Sequence, residues 1–102
     1  MRGISSALKK EANFRIHIVA TFAIFAFLIW SRLPAIWWAL TALLVGVILA
    51  AELFNTALEK ALDALHPQHD PLIGYAKDCA AGAVLILSLA ALGILAAMLL
   101  QL

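Results

Sequence analysis

Five polar residues share one face of a run that otherwise reads as apolar helix: Glu52, Asn55, Thr56, Glu59 and Asp63. At about 100° per residue they fall within roughly a 100° sector, and Leu53, Phe54, Ala57, Leu58, Ala61 and Leu62 cover the rest of the surface. Carboxylates aligned in this way repel one another unless a cation or a basic side chain lies between them. Two readings fit the stripe. It is the solvated face of a helix extension, or it is a site for a hard cation, because carboxylate and amide oxygens are what Mg²⁺ prefers, usually with phosphates completing its shell. No His or Cys joins the stripe, which argues against zinc.

Complementary groups lie elsewhere in the chain. Glu11 and Arg15 are spaced i, i+4, and Lys77-Asp78 directly precedes an apolar run. Taken singly, the first is a modest surface ion pair and the second a snorkelling interfacial anchor. Taken together, they bring acids from three helices and a lysine to one depth. Ala76, Ala80, Ala81, Gly82 and Ala83 supply the small side chains that let a neighbouring helix approach closely.

These groups must be held by membrane helices. Of 102 residues, 66% are hydrophobic and 13% charged, which leaves too little polar surface for a soluble domain of this size. The apolar runs are 18–30, 33–51 and 79–100. A span of about 30 Å of hydrocarbon needs about 20 residues. The second and third runs meet that length, and Phe14 and Ile16 extend the first. Trp30, Trp37 and Trp38 suit a headgroup boundary. Pro34, after Ser31-Arg32-Leu33, suits a helix start and a tight antiparallel hairpin. The stretch His66-Pro67-Gln68-His69-Asp70-Pro71 is a helix breaker. The expectation is one all-α integral membrane domain: an amphipathic interfacial segment over 1–13, spans over 14–30 and 34–65, a cytoplasmic loop over 66–75, and a third span over 76–101.

Arg2, Lys9, Lys10 and Arg15 precede the first span, Arg32 alone marks the hairpin, and Lys60 and Lys77 flank the second connection. The positive-inside rule puts the N-terminus and the 52–78 connection in the cytoplasm, with all six acidic residues on that side. The first run reads as a permanent anchor, since charged and mixed sequence precedes it and no small-residue cleavage site follows. A net charge of +1 offers no field suited to nucleic acid. Cys79, the single cysteine, reads as a packing residue. No ionisable residue lies in the middle of a span, so an ion path lacks relay groups. A non-catalytic scaffold or small transporter subunit with a cation-binding stripe is the alternative to an enzyme.

Three blocks carry a resemblance. Glu11-Ala-Asn-Phe-Arg-Ile-His17, Glu52-Leu-Phe-Asn-Thr-Ala-Leu-Glu-Lys-Ala-Leu-Asp63 and Ala76-Lys-Asp-Cys-Ala-Ala-Gly-Ala-Val84 resemble the signatures of the small prokaryotic diacylglycerol kinases, a family that includes the undecaprenol kinases. The likeness runs over essentially the whole chain. It implies a lipid kinase of the bacterial inner membrane, with three transmembrane helices per subunit, a homotrimeric assembly with active sites between subunits, ATP as donor and Mg²⁺ as cofactor. No G-x-x-x-x-G-K-[ST] or G-x-G-x-x-G loop is present, in keeping with a kinase unrelated to the soluble folds.

Carried over by position, Glu52 matches the catalytic base, and Glu11 and Glu59 match the metal-ligating carboxylates that also reach the nucleotide. Lys77 and Asp78 match nucleotide contacts, and Gln68, His69 and Asp70 match the nucleotide-binding loop. Asn55 and Asp63 are supporting members of the stripe, Asn55 orienting the base or a phosphate. Asn13, Phe14, Arg15, Ile16 and His17 either touch the lipid headgroup beside Glu52 or simply pack. With Pro71-Leu72 and the block 80–84, they look more like the undecaprenol branch than the diacylglycerol branch. Family members usually carry a longer amphipathic helix upstream of the Arg2-Gly3 match, with side chains that contact nucleotide and lipid.

Overall fold

The computed structural model describes residues 2–102. Met1, the first residue of the expected interfacial segment, lies outside them. Four α-helices follow in order: α1 (Arg2–Lys10), α2 (Ala12–Ser31), α3 (Ala35–Leu65) and α4 (Pro71–Leu99). The last three, of 20, 31 and 29 residues, are each long and apolar enough to cross a membrane. The all-α, three-span architecture expected from the apolar runs is therefore the one observed.

The break between α1 and α2 falls at Glu11, whose backbone is extended at φ −106°, ψ 106°. Its N–H still donates to Ala7 O at 2.9 Å, and its carbonyl accepts from Arg15 N at 3.2 Å, so the backbone turns without losing its bonds. Arg15 completes the corner. Its guanidinium donates to Leu8 O at 3.2 Å and Lys9 O at 2.9 Å, satisfying carbonyls left over at the end of α1. Among the described residues Arg15 makes no ion pair with Glu11, the i, i+4 pairing read from the sequence. Because Glu11 precedes α2 with an extended backbone, the two residues do not sit on one helical face.

At the other end of α2, Arg32 takes the left-handed conformation (φ 56°) and donates its N–H to Leu28 O. Pro34 then leads into α3. At about 1.5 Å per residue α3 is about 46 Å long, more than the roughly 30 Å of hydrocarbon, so its polar C-terminal turns project into water. The connection to α4 is shorter than expected. The 66–75 loop closes at Asp70, and helix begins at Pro71 rather than at 76. Proline fits a first helical position, and Asp70 Oδ1 accepts from Leu72 N at 2.8 Å and from Ile73 N at 3.4 Å. The second proline of the breaker starts the helix it was expected to delay.

α3 and α4 form the principal packed pair, with α2 lying against α3. Thr41 is buried, with Oγ1 3.7 Å from Met98 Sδ. Phe25 of α2 and Trp38 of α3 stack with ring centroids 5.6 Å apart. Phe14, Leu28, Ile48 and Met98 are buried, while Phe22, Trp30, Leu85, Ile86 and Leu92 stand exposed. Such a surface suits hydrocarbon, where exposed apolar groups carry no penalty and only the backbone must be satisfied internally.

Candidate active site

A polar cavity of about 220 Å³ opens where the α1–α2 corner meets α3 and α4. Glu11, Asn13 and Phe14 form one wall, Glu52, Asn55, Thr56 and Glu59 a second, and Ala81 and Val84 of α4 the third. Four of the five stripe residues thus converge, as helical periodicity requires of positions i, i+3, i+4 and i+7. The fifth does not line this cavity. Asp63 Oδ1 instead lies 2.5 Å from Lys77 Nζ, a partly exposed pair joining α3 to α4.

Glu52 is 7% exposed, an unusual place for a carboxylate, which is almost never buried without a partner. Its partner is His17 of α2, whose Nδ1 lies 2.5 Å from Oε1. The two atoms are close enough to interact, but they are not aligned as a hydrogen bond. His17 Nδ1, Glu52 Oε2 and Asn55 Oδ1 are all buried without a well-directed hydrogen-bond partner. Buried polar atoms of this kind are rare in folded proteins, and a cluster of them is accounted for by a bound water or ion, by strain or by a catalytic role.

Two further spaces bear on the site. An open, largely apolar groove of about 700 Å³ runs between α1 and α3, past Ile4, Ala7, Leu53 and Phe54, with Lys10 and Lys60 on its border. It shares Glu11 and Thr56 with the polar cavity. Beyond His17, an apolar cavity of about 310 Å³ lies between α2, α3 and α4.

The structure separates the residues expected at the site into two groups. Glu11, Asn13, Phe14, Glu52, Asn55 and Glu59 line the cavity, with His17 against Glu52. Arg15 faces the end of α1, and Ile16 is 60% exposed. Gln68 offers its carbonyl to His66 Nδ1 at 3.1 Å, His69 is exposed, and Asp70 caps α4. Asp78 is exposed beside Lys77. Thr56, Ala81 and Val84 belong to the cavity wall although the resemblance gave them no role. The run of small residues was a signal for Ala81, since a small side chain there leaves room for the cavity. The His17–Glu52 contact had no sequence signal, because it crosses from one helix to another.

Among the described residues, no three His, Cys, Asp or Glu side chains converge as a ready-made metal site. The donor set nevertheless fits Mg²⁺, which is commonly held by one or two carboxylates, with phosphates and water filling its octahedron. Glu11 and Glu59 are two such carboxylates on the walls of one cavity.

The sequence model of the family described as prokaryotic diacylglycerol kinase matches residues 1–99. The chain is 39% identical to the undecaprenol kinase of Bacillus subtilis (strain 168) over 85 residues, covering 83% of this chain and 69% of that one. It is 41% identical over 90 residues to the diacylglycerol kinase of Synechocystis sp. (strain ATCC 27184 / PCC 6803 / Kazusa), covering 87% of this chain and 51%, about half, of that one. It is 32% identical over 85 residues to the diacylglycerol kinase of Escherichia coli (strain K12), covering 83% and 70%.

Proposed function

This chain belongs to the prokaryotic diacylglycerol kinase family, and on that premise we propose that it transfers the terminal phosphate of ATP, with Mg²⁺, to the hydroxyl of a membrane lipid alcohol. It is a membrane lipid kinase, and membership in a kinase family sets aside the scaffold reading. The observation that carries the finer proposal is the gathering of Glu11, Glu52, Asn55 and Glu59 on one cavity, with Glu52 buried at its membrane end.

In the proposed reaction the lipid hydroxyl oxygen bonds to the γ-phosphorus, and the bond from that phosphorus to the β–γ bridging oxygen breaks. Its electron pair leaves on ADP, and the hydroxyl proton passes to the Glu52 carboxylate. Phosphoryl transfer depends mainly on positioning and charge stabilisation, which a few fixed carboxylates and a lysine can supply without a glycine-rich loop. Glu59 lies about 10 Å along α3 from Glu52, toward water, where a nucleotide arrives. Glu11 and Glu59 would hold Mg²⁺, which supplies neutralisation of triphosphate charge when bound. Lys77, Asp78 and the 68–70 loop would approach the nucleotide from the same end. The apolar groove between α1 and α3, meeting the cavity at Glu11 and Thr56, gives a lipid a path to Glu52.

Undecaprenol is the proposed acceptor, on the pattern of Asn13, Phe14, Arg15, Ile16 and His17 and on the likeness to the B. subtilis undecaprenol kinase. The exposed apolar faces of α2 and α4 are proposed to pack in a homotrimer, with the N-terminus and the 66–70 loop on the cytoplasmic side. The test is transfer of labelled γ-phosphate from ATP to undecaprenol or diacylglycerol in reconstituted vesicles, with and without EDTA, by the wild type and by Glu52→Gln. Labelled undecaprenyl phosphate that requires Mg²⁺, with little turnover by the variant, is expected. Absence of labelled lipid from either acceptor, or near-normal turnover by Glu52→Gln, would end the proposal.

A further inference from the structure

Glu52 on α3 is gripped from α2. His17 Nδ1 lies 2.5 Å from Oε1, with the two side chains 30% and 9% exposed respectively, while Oε2 is buried and has no hydrogen-bond partner. The ring has little else to engage. On its membrane side it borders the apolar cavity, where the two hydroxyls present are turned to backbone carbonyls: Thr21 Oγ1 donates to His17 O at 2.7 Å, and Ser88 Oγ to Val84 O at 2.9 Å. His17 therefore stands in the wall between an apolar space and a polar one, with Glu52 as the group its Nδ1 meets.

We propose that His17 is a positioning residue for the phosphoryl-transfer step. By engaging Oε1 it fixes the rotamer of Glu52 and compensates a carboxylate withdrawn from water, leaving Oε2 to take the acceptor's proton. The proton remains on Glu52, and the histidine neither receives it nor touches the substrate. This inference rests on the reading of Glu52 as the base. A carboxylate without the ring would be free to turn, and misplacing a reacting group by about 1 Å can lower a rate about 100-fold.

The test uses the full chain in reconstituted vesicles and compares His17→Ala, His17→Asn, Glu52→Gln and the double variant His17→Ala/Glu52→Gln. His17→Ala is expected to lower kcat roughly 10- to 100-fold and to leave the KM for ATP unchanged. His17→Asn, whose amide can donate to Oε1 from a similar position, is expected to recover part of the loss. In the Glu52→Gln background His17→Ala is expected to cost nothing further, because it acts through Glu52. Wild-type kcat in His17→Ala, an equal loss in both backgrounds, or a parallel weakening of nucleotide binding would overturn the inference. If the alanine variant does not assemble, His17→Asn against His17→Leu reads the same difference, and equal turnover by the two overturns it. High turnover by Glu52→Gln would instead remove the base reading, and the inference with it.

Discussion

Lys77 Nζ of α4 and Asp63 Oδ1 of α3 lie 2.5 Å apart, one helical turn beyond the last carboxylate that lines the polar cavity. The pair ties the first turns of α4 to the polar C-terminal extension of α3. It is too exposed to contribute much to stability, because pairs of this kind contribute about 0.2–1 kcal/mol. Asp63→Ala should therefore shift thermal unfolding little, while Lys77→Ala should raise the KM for ATP about 10- to 100-fold through loss of a charge-assisted phosphate contact. Steady-state kinetics over a range of ATP concentrations check this, and an unchanged KM in Lys77→Ala would remove the lysine from the nucleotide site.

Glu11 reaches the cavity from the α1–α2 corner and Glu59 from α3, so each should hold the metal from a different element. Glu11→Gln and Glu59→Gln should each move the Mg²⁺ concentration for half-maximal activity upward by about tenfold or more, as expected when a charged ligand of a hard cation becomes neutral. A titration at fixed ATP measures the shift. Unchanged Mg²⁺ dependence in both variants would show that neither carboxylate meets the metal.

Asp70 has a structural task that its proposed place in a nucleotide loop does not mention. Its carboxylate caps α4 through Leu72 N and Ile73 N. Asp70→Ala should destabilise the protein by about 1 kcal/mol, and Asp70→Asn, which keeps an accepting oxygen, by much less. Reversible unfolding in detergent distinguishes the two. Equal stability of both variants and wild type would mean that the cap contributes nothing in this helix.

Ala81 forms part of the α4 wall of a cavity of only about 220 Å³. Ala81→Phe should fill much of that space, abolishing turnover while the chain still inserts, whereas Ala81→Ser should retain activity. Overpacking a confined site forces neighbours off their rotamers, here Asn55 and Glu59. Turnover by Ala81→Phe comparable to wild type would place the reaction outside this cavity.

The three spans and the polar stripe were legible in the sequence for a simple reason. Bilayer thickness and the 3.6-residue helical period are fixed quantities, so long apolar runs and residues at i, i+3, i+4 and i+7 can be read without tertiary knowledge. Four members of the stripe do meet on one cavity. The start of α4 is not legible in the sequence, because proline signals both a break and a first helical turn, and only the cap at Asp70 decides between them.

Tertiary structure decided what crosses between elements. The corner at Glu11 carries no glycine or proline, and it depends on Arg15 reaching back to Leu8 and Lys9. The fate of Asp63 depended on where α4 brought Lys77, and the grip of His17 on Glu52 on how α2 lies against α3. Periodicity orders side chains around one helix axis. It says nothing about the distance between two axes, and hydrogen-bond and ion-pair contacts are set by that distance to within an ångström or less.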